Sequence, residues 1–436
     1  MRRIINLFQG SVFVRNSLVL FAGTMVMNAL NYAFHFSLGR ILDPAVYGAL
    51  QSLIALLTIV SVPASALTLI ATKYGAVAKA REDYGFAWHL FLYLNKLIIK
   101  YGWPLVIAAF LLSPFVKSFL QINDSLAVSL LWILAALTFF SSSSIGILSG
   151  WQKFKAVNAA NITSSGIKLL LGILFAWLGF GLDGIVFCLA LSGIIGYFIS
   201  VRGLRFLKKN DVSTTGTQPQ SEIETFDFSP VRGYVATALT GTFGIVALGN
   251  VDIVLAKHAL TPEIAGAYGA LAVVAKVIFF VTGVIATVLF SMSSESLEKN
   301  NNNHQPKNFF VFWMALGLTI LISLAAIAIY FLAPDFVMSI FFGKKYLAVA
   351  PLLGWFGLAA GLYAVVNLIL QQLLSMHISR AAQWLCGIAI VESCGLFFFG
   401  TSLISIITIV ILTQIIALIS GLVFILKSCK IKKQSV

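Results

Sequence analysis

Apolar residues run along this chain in long blocks separated by short polar segments. Twelve blocks stand out, at 17–37, 47–70, 97–116, 126–150, 158–179, 183–201, 231–256, 267–290, 309–332, 348–374, 381–400 and 402–426. Each approaches the ~20 apolar residues that a helix needs to cross the hydrocarbon of a bilayer. Strands are excluded, because the blocks are too long and lack the ten-residue alternation of a membrane barrel. The pattern predicts an all-α polytopic membrane protein with twelve transmembrane helices. The first block is longer than a signal-peptide core, and no small-x-small site closes it, so it is expected to remain as a span.

The blocks divide into two sets of six. "LDPAVYGAL" (Leu42–Leu50) returns as "LTPEIAGAYGAL" (Leu260–Leu271), and Val14-Arg15 returns as Val231-Arg232. "LSPFVKSFLQINDSLAVSLL" (Leu112–Leu131) returns as "LAPDFVMSIFFGKKYLAVAPLL" (Leu332–Leu353). The offset stays between 217 and 221 residues, close to half of the 436, which marks a duplication. A polar, Ser/Thr/Gln-rich segment, Lys208–Pro230, reads as a flexible cytoplasmic linker at 208–230. It separates an N-terminal lobe, 1–207, from a C-terminal lobe, 231–436. Six is an even number, so both lobes enter the membrane with the same orientation. Their pseudo-two-fold axis is expected along the membrane normal. The repeated motif reads as a tight turn on the outer side, with Pro ending one helix, Gly relieving crowding and Tyr anchoring at the interface. A gate is the alternative.

Composition sharpens this picture. The chain is 59% hydrophobic and 10% charged, against about 25% charged residues in a soluble domain. Its net charge of +14 raises nucleic acid as a partner, but the distribution excludes it. With the N-terminus in the cytoplasm, 22 Lys and Arg fall in cytoplasmic segments and 5 on the other side. This is the positive-inside asymmetry, with both termini cytoplasmic and the basic segments facing anionic lipid. The four cysteines, Cys188, Cys386, Cys394 and Cys429, show no metal or redox spacing. No cofactor, metal ligand or catalytic residue is expected.

Ionisable groups inside spans cost ~2.5–3.5 kcal/mol each on insertion scales, so each needs a reason. Well inside the blocks are Lys168 in the fifth, Lys276 in the eighth and Glu392 in the eleventh, with Asp252 nearer the outer end of the seventh. Lys276 shares a helical face with Tyr268, Ala272, Phe279, Gly283 and Thr287, as expected of a cavity wall. The alternative for both lysines is snorkelling or an internal pair. Glu392 and Asp252 are ion-coupling candidates, since a carboxyl in an apolar bundle can carry a proton. The alternative is a structural pair such as Glu392 with Lys168. Polar stripes add candidate cavity lining. Asn28, Asn31 and His35 follow Thr24 at helical spacing in the first block. Asn367 and Gln371 share a face in the tenth, and Gln414 lies in the twelfth. Ser61, Ser65, Thr68 and Thr72 read instead as a close-packing face.

Six plus six spans, "GRILDPAVYGAL" after the first, and "NVDIVLAKHALTPEIAGAYGALAVVAKV" (Asn250–Val277) from the seventh into the eighth resemble the multidrug/oligosaccharidyl-lipid/polysaccharide (MOP) exporter superfamily. The chain is most similar to its polysaccharide-biosynthesis flippases of the Wzx type, over essentially its whole length. The resemblance implies a fold like that of the MATE transporters, two six-helix bundles facing each other across a V-shaped cavity. It also implies translocation of lipid-linked oligosaccharide across a bacterial-type cytoplasmic (inner) membrane by alternating access, as in O-antigen or capsule export. Under it, Lys276 and Lys168 suit the pyrophosphate of a polyprenyl carrier, since a compact ammonium in low dielectric attracts that anion. The expected partners are this glycan substrate, membrane lipids and pathway proteins such as a glycan polymerase, with the chain itself a monomer. A multidrug/cation antiporter of the same superfamily is the alternative. Many of those resemble one another in carrying an acid in the first span, where residues 17–37 have none. An enzyme is not expected, because the outer acids Asp43, Asp124, Asp183, Glu263 and Asp335 are scattered singly.

Overall fold

The computed structural model describes residues 12–211, 229–283, 306–375 and 380–434, and all regular secondary structure among them is helical. Nine helices in these residues are long and apolar enough to cross a membrane. The pair Pro44–Val60 and Val62–Ala80, bent by 45° where they join, makes a tenth if counted as one span. The block at 381–400 forms a shorter apolar helix, Gln383–Phe399. The block at 17–37 lies in a 30-residue helix, Val12–Ile41, whose Asn28, Asn31 and His35 dilute its apolarity. The chain is therefore a multi-pass helical membrane protein. Residues 212–228 of the expected linker, and Thr287, lie outside the described residues.

The third span begins earlier than its apolar block. Its helix runs from Tyr84 to Leu111, so Lys96 and Lys100 lie on the helix and not in a connecting segment. A π turn at Ile98–Gly102 precedes Pro104, whose ring and missing N–H disturb the ladder of the preceding turn. The Asp83 carboxylate starts this span by accepting from the Phe86 N–H at 2.8 Å.

Packing divides the chain into two compact units, Met1–Ile41 with Val60–Val235, and Leu42–Ile59 with Ala236–Val436. The core of the first gathers Leu90, Leu94, Leu148, Leu204 and Leu207. The second has apolar clusters around Phe312, Leu368 and Leu373, and around Leu248, Val366 and Leu385. In the first unit Ser65 and Thr68 hydroxyls bond to their own helix at the Val62 and Ala64 carbonyls. A Cβ on Gly150 would stand 2.5 Å from the Thr72 carbonyl, so this Ser/Thr face is a packing face.

Residues Leu42–Ile59 join the second unit because the two copies of the repeated motif cross there. A Cβ on Gly266 would lie 1.8 Å from the Pro44 carbonyl oxygen, and one on Gly48 would lie 2.6 Å from the Gly266 nitrogen. Only glycine permits backbones this close. Tyr47 and Tyr268 are both fully buried; neither is the interfacial anchor expected from the sequence. Tyr47 packs edge-on against Phe342 at 5.5 Å, and Tyr268 against Phe356 at 5.2 Å. Burying an aromatic ring in the crossing yields more contact than leaving it at a headgroup.

Candidate functional site

Each unit holds a polar centre inside its helices. In the first unit Lys168 projects from the Phe154–Trp177 helix toward Val12–Ile41 and donates to the Asn31 Oδ1. Its ammonium also lies 4.8 Å from the centroid of the Phe34 ring, a cation–π contact. Gly172, one turn along from Lys168, makes room for that ring, since a Cβ there would meet Phe34 at 2.7 Å. Phe34 is fully buried, and His35 meets it edge-on at 5.4 Å. His35 lies within reach of the Lys168 charge. The structure thus joins two features that the sequence left apart, the fifth-span lysine and the Asn/His stripe. Asn28 is half-buried on the same stripe. Among the described residues, no carboxylate lies within 4 Å of Lys168.

The second unit is built around two helix breaks. The seventh span is interrupted at Gly249-Asn250, between Ser229–Leu248 and Val251–Ala259. The eighth is interrupted at Lys276, which ends Pro262–Ala275. Breaks inside spans are tolerated where protein groups re-satisfy the freed backbone. Here Lys276 donates to the Gly249 carbonyl. Tyr363 donates to the Ile245 carbonyl at 2.8 Å, and Tyr330 to the Val274 carbonyl at 2.8 Å. Gly249 is required at its break, because a Cβ would stand 2.5 Å from the Tyr363 hydroxyl.

Acidic groups surround this lysine. Asp252, in the first turn after the break, places Oδ1 3.9 Å from the Lys276 ammonium and accepts from the Tyr268 hydroxyl at 2.8 Å. Glu392 is fully buried, accepts from the Thr413 hydroxyl at 2.8 Å, and lies within electrostatic reach of both Asp252 and Lys276. Asp252 Oδ1, Glu392 Oε1 and Gln414 Oε1 are buried acceptors without a hydrogen-bond donor. A small pocket is lined by Gly249, Asp252, Lys276, Tyr363 and Gln414 with apolar neighbours.

The structure therefore brings Lys276, Asp252 and Glu392 together. Of the face expected to line a cavity with Lys276, Tyr268 and Ala272 are fully buried, and the Phe279 ring packs at a tilt against Tyr363 with centroids 4.6 Å apart. Asn367 is buried and Gln371 half-buried on Leu353–Ser375, and neither is a wall of the cavity beside Lys276. Sequence reasoning missed the Gly249 carbonyl and Thr413. The Gly-Asn pair inside an apolar block was the available signal for the first. Threonine in "VILTQII" gives none, because its hydroxyl can bond its own helix.

No curated protein sequence matches the chain. Among solved structures, it is similar to an inward-facing multidrug resistance MATE family transporter of the MOP superfamily, with 15% identity, a TM-score of 0.69, and 96% of this chain and 99% of that one covered. It is also similar to the lipid II flippase MurJ in an inward closed conformation, with 14% identity, a TM-score of 0.64, and 95% and 87% covered. A third is a MOP superfamily transporter from Pyrococcus furiosus whose binding pocket is described as reversed in polarity. It shares 18% identity and a TM-score of 0.53 over 94% of this chain and 95% of its own. These likenesses show a MATE/MOP-like fold. A family model described as polysaccharide biosynthesis protein matches residues 13–297. With well over half of its length inside that match, the chain belongs to the polysaccharide biosynthesis protein family.

Proposed function

We propose that the chain is a flippase for a lipid-linked, polyprenyl-pyrophosphate oligosaccharide in a bacterial-type cytoplasmic membrane. In this reading Val12–Ile41 and Gln383–Phe399 complete twelve spans with the ten above. They form two six-helix lobes related along the membrane normal, with both termini cytoplasmic, and transport proceeds by alternating access. The observation that carries the reading is Lys168, a cation inside a span whose contacts, Asn31 and Phe34, are neutral. An anion is the partner that such a group lacks, and a pyrophosphate offers both charge and acceptors.

Lys276 is a second anion ligand under the control of its acids. While Asp252 is ionised it holds the ammonium. A proton or small cation received by the unsatisfied oxygens of Asp252 and Glu392 weakens that hold and frees Lys276 for the pyrophosphate. Asn28, Asn31 and His35, with Asn367 and Gln371, supply hydrogen bonds for sugar hydroxyls. Catalysis has no place in this scheme.

The experiment is translocation of a labelled polyprenyl-pyrophosphate oligosaccharide in proteoliposomes, beside a cationic dye as the second substrate. A charged hydrogen bond contributes ~1.5–3 kcal/mol, so Lys168→Gln is expected to lower glycan transport about 10- to 100-fold. Glycan export unchanged in a well-inserted Lys168→Gln protein removes this residue from the mechanism. A second reading, export of organic cations, is favoured by the carboxylates Asp252 and Glu392. Dye transport without glycan transport selects it.

A further inference from the structure

We propose that one end of the first unit is a docking surface for anionic phospholipid headgroups, organised by the short helix Arg205–Asp211. The chain turns at Leu204, directly after the Gly181–Gly203 helix, and Arg205–Asp211 packs against Tyr84–Leu97. Leu204 and Leu207 are fully buried there. Phe206 meets Trp151 at 5.3 Å and Tyr84 at 6.4 Å, and Tyr84 lies 4.8 Å from Trp151. These contacts fix the helix on the bundle, and they fix which side it shows outward. Arg205, Lys208 and Lys209 fall at positions i, i+3 and i+4, hence on one face, and all three are exposed.

Neighbouring connections add to the same end. Exposed Arg81, Lys153 and Lys155 flank the helix. The Lys153 ammonium lies 4.8 Å from the centroid of the Phe206 ring. Lys79 ties the two connections together by donating to Gln152 Oε1 at 2.8 Å. The acids in these connections are Glu82 and Asp83, and Asp83 is engaged at the Phe86 N–H. Among the described residues, none of the six exposed cations has a carboxylate within 4 Å.

Placement selects the partner. Two apolar spans, Tyr84–Leu111 and Gly181–Lys209, end here, so the cations sit where a span leaves the hydrocarbon and meets phosphate. Long basic side chains on one face of a fixed helix suit a layer of small mobile anions. Each basic group near an anionic surface strengthens attachment about fivefold. The surface lies apart from Lys168 and the Asn31 stripe, and its test reads lipid binding and not transport.

The test is native mass spectrometry of the full chain in neutral detergent, titrated with phosphatidylglycerol or phosphatidylcholine. The wild type is expected to retain phosphatidylglycerol in preference to phosphatidylcholine. R205Q/K208Q/K209Q is expected to weaken that retention on the order of 100-fold, three steps of about fivefold. K117Q/K344Q, which removes half-buried Lys117 and exposed Lys344 elsewhere, leaves it unchanged. Monodisperse elution and an unchanged thermal midpoint without lipid report that the triple variant is folded. R81Q/K155Q, outside the docked helix, is a second variant with a smaller expected loss. Equal retention by wild type and both surface variants overturns the proposal, as does an equal loss in K117Q/K344Q. Preference for soluble polyglutamate over phosphatidylglycerol also overturns it, in favour of an acidic protein segment.

Discussion

Replacing Gly266 by alanine tests whether the repeated motif exists to let two helices touch. In the native backbone the new Cβ lands 1.8 Å from the Pro44 carbonyl oxygen and 2.5 Å from its carbon. Side-chain Cβ contacts below 3.0 Å are essentially never found, so the two backbones must part by roughly 1.2 Å. Neither obstacle is a side chain that can rotate away. Overpacking of this kind costs ~1–3 kcal/mol, and the upper part of that range applies because backbone must move. Alanine's better helix propensity returns ~1 kcal/mol, leaving a net loss of about 2 kcal/mol. Gly317, exposed on Pro306–Leu332 with nothing within 4 Å of its would-be Cβ, is the matched control. It should gain stability. Gly48→Ala meets the Gly266 nitrogen at 2.6 Å, so the same parting relieves both, and Gly48→Ala/Gly266→Ala should cost less than the sum. The assay is the thermal midpoint in detergent, read as the surviving monodisperse fraction after heating. If Gly266→Ala matches Gly317→Ala, the close crossing is not what holds the motif in place.

Three further outcomes follow from the same geometry. Gly249→Ala drives a Cβ to 2.5 Å from the Tyr363 hydroxyl and should lower the thermal midpoint, with Tyr363→Phe restoring part of the loss; no restoration refutes the steric account. Glu392→Gln keeps an acceptor for Thr413 yet cannot carry a proton, so transport should lose its dependence on an imposed pH gradient. A variant that still follows the gradient excludes the coupling role. At the exposed connection before Ser125–Gly150, the Asp124 carboxyl is held above its usual range by burial and by Asp183, against a smaller opposing pull from Lys117. The folded state thus binds this proton more tightly than the unfolded state, and stability falls as pH rises from the unfolded carboxylate value through the folded one. Asp124→Asn should therefore be the more stable protein at pH 7, with the difference vanishing below about pH 4. An equal midpoint at both pH values contradicts this.

The spans were legible because crossing hydrocarbon requires about twenty apolar residues, and a bilayer leaves the chain few other ways to satisfy its backbone. Legibility failed where one helix mixes the two patterns. His89, Asn95 and Lys96 hid the first half of Tyr84–Leu111, since long cations can lie along a span and reach outward. The helix breaks were half visible. Gly249-Asn250 is written in the sequence, whereas Lys276 breaks its helix inside an apolar run with no Gly or Pro beside it, where only the carbonyl and carboxylate it reaches explain the turn. The partnership of Lys168 with Asn31 bridges 137 residues. Periodicity places each residue on a face but says nothing of which faces meet. The burial of Tyr47 and Tyr268 was missed for a related reason. A tyrosine beside a turn is equally suited to a headgroup or to a crossing, and the glycines next to it decide only once both copies are in contact.

The two intramembrane lysines solve the same electrostatic problem in different ways, and the difference orders their roles. A cation in a span costs ~2.5–3.5 kcal/mol. Lys276 recovers part of this from a carboxylate at 3.9 Å and a freed carbonyl, so drawing it toward a ligand means breaking a pair and leaving Asp252 buried and unpaired, which is itself expensive. Its engagement is therefore conditional on whatever neutralises Asp252. Lys168 has an amide oxygen and an aromatic face, both of which tolerate a second, anionic partner without any protein charge being abandoned. In the proposed reading Lys168 is open to an anion at any state of the acids, and Lys276 only when Asp252 or Glu392 has taken up its ion. Coupling then needs no long-range wire, because the switch is the 3.9 Å pair itself.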